Sequence, residues 1–123
     1  MMAAEPIDPG RITEYHIHVY YDADSRDRAA LLREWVEARF PVKMGRWRDE
    51  PVGPHVRAMY LFTFPPELFV EVVPFVMMNR LGLTVLLHPE SGRPRDDHTI
   101  NATWMGEVLA VKSDSLPEAD QPA

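Results

Sequence analysis

The segment Glu14–Tyr21 reads EYHIHVYY, and its unbroken alternation restricts the chain more than any other stretch. Successive side chains of a strand point to opposite faces. Tyr15, Ile17, Val19 and Tyr21 therefore share one face, and Glu14, His16, His18 and Tyr20 share the other. β-branched and aromatic residues favour that extended form. One face suits a core, and the other carries two histidines at i, i+2.

The periodicity then changes in a legible order. Asp24 or Ser25 can cap a helix to about Arg39, with Leu31, Leu32, Trp35 and Val36 at helical spacing and Pro41 as its stop. Val42–Arg48 reads as a short strand weakened by Gly45, and Val56–Phe64 as a stronger one. Pro66 fits the first turn of a second helix running to about Arg80, with Pro74 kinking or splitting it and Gly82 as C-cap. Leu83–His88 is a fourth strand, Pro89–Asp97 a loop, and Thr103–Lys112 holds a fifth short strand.

The order β-α-β-β-α-β predicts an α+β, ferredoxin-like sandwich. Two helices cover one face of an antiparallel sheet, and a short C-terminal addition follows. Residues 12–112 form one domain. Residues 1–11 and the acidic tail 113–123 are expected to be flexible, since neither can bury enough surface to offset ordering entropy.

In that topology the first strand is central, flanked by the third and fourth. His16 and His18 lie roughly 6.5–7 Å apart at the rise of a strand. His88 is brought towards Glu14 and His16. His55 comes near His18 and Tyr20 at the other end, and His98 lies in a loop within reach. A lone strand histidine is usually hydrogen-bonded or solvent-facing, so the pair alone is a weak motif. Four histidines along one strip of one face, with a fifth in reach, leave a metal centre and a set of hydrogen-bonded histidines as equal readings of the pattern alone.

The chain has no cysteine, which removes thiolate ligands, disulfides and iron–sulfur clusters together. Imidazole and carboxylate ligands remain, and they suit Fe(II), Mn(II) or Zn(II). Glu14 shares the histidine face, although a surface role at the strand start is the simpler reading. The cysteine-free composition also suits a reducing compartment, and a cytoplasmic location is expected. A net charge of −6 with no basic run argues against nucleic acid. The N-terminus lacks a signal-peptide layout, and no apolar run could span a bilayer.

Five short blocks follow one another: Tyr15 to Tyr21 as YHIHVYY, Gly53-Pro54-His55, Leu87 to Gly92 as LHPESG, Asp97-His98-Thr99, and Trp104-Met105-Gly106. Together they carry all five histidines, and they resemble the DOPA 4,5-dioxygenase family over about residues 12–112. The resemblance implies a ferredoxin-like fold, a homodimer, and Fe(II)-dependent extradiol cleavage of a small catechol by dioxygen. Characterised members open L-DOPA between C4 and C5. Within that reading, strand geometry assigns His16, His18 and His88 as Fe(II) ligands. His55 and His98 become acid–base or substrate-orienting groups, with His98 an alternative third ligand.

Zinc or another divalent ion can replace iron in purified protein. Arg46 and Arg48, on one face of the second strand, suit a substrate carboxylate, and Tyr20 could hydrogen-bond substrate. Asp97 could orient His98 or close a turn. The alternative is a non-catalytic ferredoxin-like dimer that binds metal or ligand without turnover.

Overall fold

Strand β1 (Glu14–Tyr20) forms the middle of the sheet, paired on both sides. The computed structural model describes residues 4–119, so the outermost parts of both predicted flexible ends lie outside it. The remaining elements are α1 (Arg26–Arg39), β2 (Lys43–Met44), β3 (Met59–Phe64), α2 (Phe69–Asn79), β4 (Thr84–Glu90), α3 (Pro94–Asp97) and β5 (Thr103–Met105). The strand order is β2-β3-β1-β4-β5, antiparallel throughout. That is the ferredoxin-like order with β5 added at the β4 edge.

The predicted facing of β1 holds. Ile17, Val19 and Tyr21 pack with Tyr60, Phe62, Phe64, Val85 and Leu87 against α1 and α2. The helices contribute Ala29, Leu32 and Val36 from α1, and Val72, Val73 and Val76 from α2. Full burial of a Val, Leu or Phe side chain is worth about 1.5–3 kcal/mol, so this layer dominates the fold's stability. The opposite face carries a smaller apolar cluster of Tyr20, Met59 and Leu86, with Leu61, Trp104 and Leu109 packed on it.

Several local expectations are corrected. Ser25 occupies the N-cap of α1, but its hydroxyl turns back to bond Asp22 and does not cap the helix. The predicted strand 42–48 shrinks to Lys43–Met44. Gly45 still donates to the Leu61 carbonyl, and Arg48 pairs with Met59. Four steps along this edge oppose three along β3, so an extra residue is bulged out.

Pro74 does not split α2. The bond it forgoes is to the Val70 carbonyl, on the exposed side, where water can replace it. Left-handed backbone after α2 begins one residue early, at Leu81 (φ 55°), and continues through Gly82 (φ 77°). β4 runs past His88 to Glu90, so the predicted loop at 89–97 starts later and contains α3. Pro89 is tolerated there because β5 pairing has already ended at Leu87.

β5 stops at Met105, shorter than predicted, and Gly106 (φ 86°) turns the chain. The chain then crosses the histidine side, where Leu109 packs and Lys112 N–H donates to the Pro54 carbonyl at 2.8 Å. Arg95 bonds the carbonyls of Ser113 and Leu116 and the carboxylate of Glu118, joining residues 113–118 to α3.

Candidate metal centre

Register brings the histidines together. His16 stands opposite His88 across β1 and β4, and His18 stands opposite Leu61 and Leu86. His88 reaches diagonally, so its Nε2 lies 3.0 Å from Nε2 of His18. His55, just before β3, sets its ring 4.2 Å from that of His18. His98, ending α3, lies 4.0 Å from the His88 ring and 5.9 Å from that of His55. All five predicted histidines therefore meet on one sheet face.

Two sets of three have ligand nitrogens within 4.8 Å of one another: His16, His18 and His88, and His18, His55 and His98. His18 belongs to both. Metal–imidazole bonds are about 2.0–2.1 Å, so two at a right angle would set their nitrogens roughly 2.9 Å apart. The His18–His88 spacing fits such a pair. His18 Nδ1 is buried with no hydrogen-bond partner, a cost that a purely hydrogen-bonded core histidine would avoid. The donor set therefore fits a divalent ion of the Fe, Mn or Zn type.

The rings are held in defined tautomers. Nδ1 of His88 lies 2.9 Å from the Pro89 carbonyl, and Nδ1 of His98 lies 2.8 Å from the Pro94 carbonyl. A carbonyl only accepts, so both Nδ1 atoms carry protons and both Nε2 atoms keep lone pairs. Nε2 of His16 lies 2.8 Å from Glu14, which is thus an orienting partner of His16. Glu90 approaches Nδ1 of His16 at 3.6 Å and Nδ1 of His88 at 3.9 Å.

Burial favours the neutral form of His18, His55, His88 and His98. Desolvation first, and neighbouring imidazoles second, push His55 down to about 4 and His88 down to about 3. Desolvation also places His18 well below the usual histidine range and lowers His98. Neutral imidazole is the ligating form, so protons compete little for these nitrogens at neutral pH.

The other proposed site residues divide. Tyr20 is buried, and its hydroxyl meets Nδ1 of His55 at 2.6 Å, so its polar end points at a histidine. Burial pushes that phenol above its usual range. Arg46 and Arg48 are exposed. Arg48 pairs with Met59, which in turn pairs with Tyr20, so it flanks the histidine face, whereas Arg46 sits in the bulged edge.

Asp97 closes a loop and does not orient His98. It is fully buried and accepts from Ser91 N–H, the Ser91 hydroxyl and Asn101 Nδ2. Sequence reasoning missed Glu90, whose signal was its spacing, two residues after His88 and on the same strand face. A cavity of about 660 Å³ lined by Tyr15, Phe69, Leu87 and Ile100 opens on the helix side of the sheet. Of the five histidines, only His88 lines it.

The comparisons agree with this geometry. Residues 15–115 match the Dopa 4,5-dioxygenase family. An uncharacterized 21.2 kDa protein of Botryotinia fuckeliana is 38% identical over 119 residues, covering 87% of this chain and 65% of that protein. The DOPA 4,5-dioxygenase of Amanita muscaria is 31% identical over 122 residues, covering 86% of this chain and 54% of the relative. The chain thus spans under two thirds of both relatives' lengths. A crystal structure of a candidate dioxygenase from Nostoc punctiforme superposes with a TM-score of 0.88 at 46% identity, covering 89% of this chain and 96% of that one. With a family match over most of its length and a histidine cluster able to hold a metal ion, the chain belongs to the Dopa 4,5-dioxygenase family.

Proposed function

We propose that the protein is an Fe(II)-dependent extradiol dioxygenase that cleaves the ring of a small catechol, such as L-DOPA, with dioxygen. The observation that carries this reading is the convergence of five histidines, four of them held below the usual histidine range, in a chain of this family. His16, His18 and His88 would hold the ion. When bound, Fe(II) supplies open coordination positions and a Lewis acid that favours the catecholate form of substrate.

The chain's own groups do the rest. The Pro89 carbonyl holds the His88 ring in place. His98, with Nδ1–H committed to Pro94, offers Nε2 as acceptor for a phenolic proton. Leu109, Trp104 and Leu61 pack on Tyr20, Met59 and Leu86 beside the cluster, an apolar border that would limit water there. Arg48, at the rim beside Met59, suits the substrate carboxylate better than Arg46 does.

A homodimer is part of the same reading. Val70, Met77 and Met78 are 75%, 55% and 81% exposed on the outer side of α2, an apolar stripe that a partner would cover. Among the described residues no helix is long and apolar enough to cross a membrane.

The test is anaerobic Fe(II) reconstitution, then oxygen-electrode and absorbance assays with a catechol panel that includes L-DOPA. Oxygen uptake with a new visible band is the expected result. Stoichiometric iron without uptake on any catechol would favour a binding role. Failure to bind any divalent ion would return the histidines to a structural role.

A further inference from the structure

The five histidines differ in what anchors them, and the anchors sort their roles. His88 and His98 are each held by a backbone carbonyl, which can only accept. His55 is held by a hydroxyl, which can donate. The Tyr20 phenol is protonated at neutral pH. Its oxygen lies 2.6 Å from Nδ1 of His55, with both residues buried.

Proton accounting then decides the direction of this bond. If Nδ1 of His55 carried the ring proton, it would donate to Tyr20, and the Tyr20 proton would be buried facing away from its hydrogen-bond partner. If the hydroxyl donates to Nδ1, both groups are satisfied. A neutral imidazole holds one proton, so that proton must be on Nε2. A protonated nitrogen has no lone pair to give an ion.

We infer that Tyr20 is a positioning residue, which fixes His55 as the Nε2–H tautomer and so makes it a hydrogen-bond donor at the cluster and not a ligand. His18, His55 and His98 each bring one ring nitrogen within 4.8 Å of the others. With Nδ1 taken by Tyr20, Nε2 is the nitrogen His55 has left to offer there. The group it would meet is an anionic oxygen, whether of substrate or of dioxygen-derived species. The His18–His55–His98 set then holds two lone-pair rings and one donor, whereas His16, His18 and His88 remain free to ligate. The assignment rests on hydrogen bonds alone and stands whether or not catechols are substrates.

The tautomer can be read directly. Protein labelled with ¹⁵N is loaded with Zn(II), which is diamagnetic, and long-range ¹H–¹⁵N correlations are recorded for the imidazole rings. His55 is assigned by the cross-peaks lost in His55→Gln. The expected pattern has an unprotonated Nδ1 and a protonated Nε2, and the same pattern appears in the metal-free protein. In Tyr20→Phe the pattern shifts towards Nδ1 protonation, while zinc stoichiometry stays at the wild-type value.

A wild-type His55 with Nδ1 protonated, or with Nε2 shifted by zinc coordination, would overturn the inference. An unchanged His55 pattern in Tyr20→Phe would remove Tyr20 from the role. If Tyr20→Phe fails to fold, the wild-type spectrum with its His55→Gln assignment still decides the tautomer.

Discussion

Nε2 of His18 and Nε2 of His88 lie 3.0 Å apart, although the residues are 70 positions apart in the chain. The pairing is diagonal, since His88 stands opposite His16 in register. With Nδ1 of His88 donating to Pro89, the His88 Nε2 carries a lone pair. In the metal-free protein His18 must then donate its proton across the gap, leaving its own Nδ1 buried and unmatched. Two Nε2 atoms at that separation would suit joint ligation of a divalent ion, with the His18 ring proton then on Nδ1. His18 is thus the histidine on which the centre depends most.

Replacement of His18 should therefore abolish metal retention. His18→Ala removes the residue common to both three-histidine sets. The loss should exceed the 10–100-fold, roughly, that accompanies removal of an outer partner of a metal ligand. Glu14→Gln, which alters only such a partner of His16, should fall within that range. Metal content after dialysis, with zinc titration of each variant, ranks the two. A His18→Ala protein that retains a full equivalent of metal would remove His18 from the ligand set.

Asp97→Ala should destabilise the protein by about 2–3 kcal/mol, because three donors lose one buried acceptor. Those donors are Ser91 N–H, the Ser91 hydroxyl and Asn101 Nδ2, which tie the end of β4 to the chain after α3. His98 follows Asp97 directly, so its ring should lose its fixed position as well. Urea unfolding gives the stability change, and the His98 ring signals report the loosening. A midpoint equal to wild type would show the loop to be held by something else.

Much of this arrangement was legible in the sequence, because β1 obeys one period without interruption. Alternation from Glu14 to Tyr20 set which side chains meet the helices, and the element order set which strands flank it. The positions of His16, His18, His55 and His88 followed from those two facts, whereas His98 was placed only within reach. What stayed hidden depends on contacts local patterns do not encode. Gly45 and the bulged edge cut β2 to two residues, and β4 ran through Pro89 because β5 no longer needed its N–H. The short helix Pro94–Asp97 has too few residues to show a period. Tautomers depend on partners distant in sequence, such as Tyr20 for His55, 35 residues away.

Gly45→Ala should test the edge. A Cβ at Gly45 would lie 2.8 Å from the Leu61 carbonyl oxygen, a backbone atom that cannot swing aside. The strand must shift, and overpacking of this kind costs about 1–3 kcal/mol. Leu61 pairs with His18, so the shift should also reach the metal centre. Denaturant midpoints and zinc affinity should fall together. A fall in stability with unchanged zinc affinity would show that β3 absorbs the strain before it reaches β1.

Acid should unfold the metal-free protein through the same histidines. In the unfolded chain they titrate at about 6.5, whereas in the fold His55 is held down to about 4 and His88 down to about 3, chiefly by desolvation. Between those values the unfolded chain binds more protons, so stability rises with pH across that window. The contribution is fully present above about pH 6.5 and is lost progressively as pH falls towards 4 and below. Urea midpoints of chelator-treated protein at pH 7.5, 6 and 5 should therefore decline in that order. Replacing His55 and His88 together by Gln should flatten the decline. Midpoints independent of pH over this range would show that these rings titrate in the fold as they do in the unfolded chain.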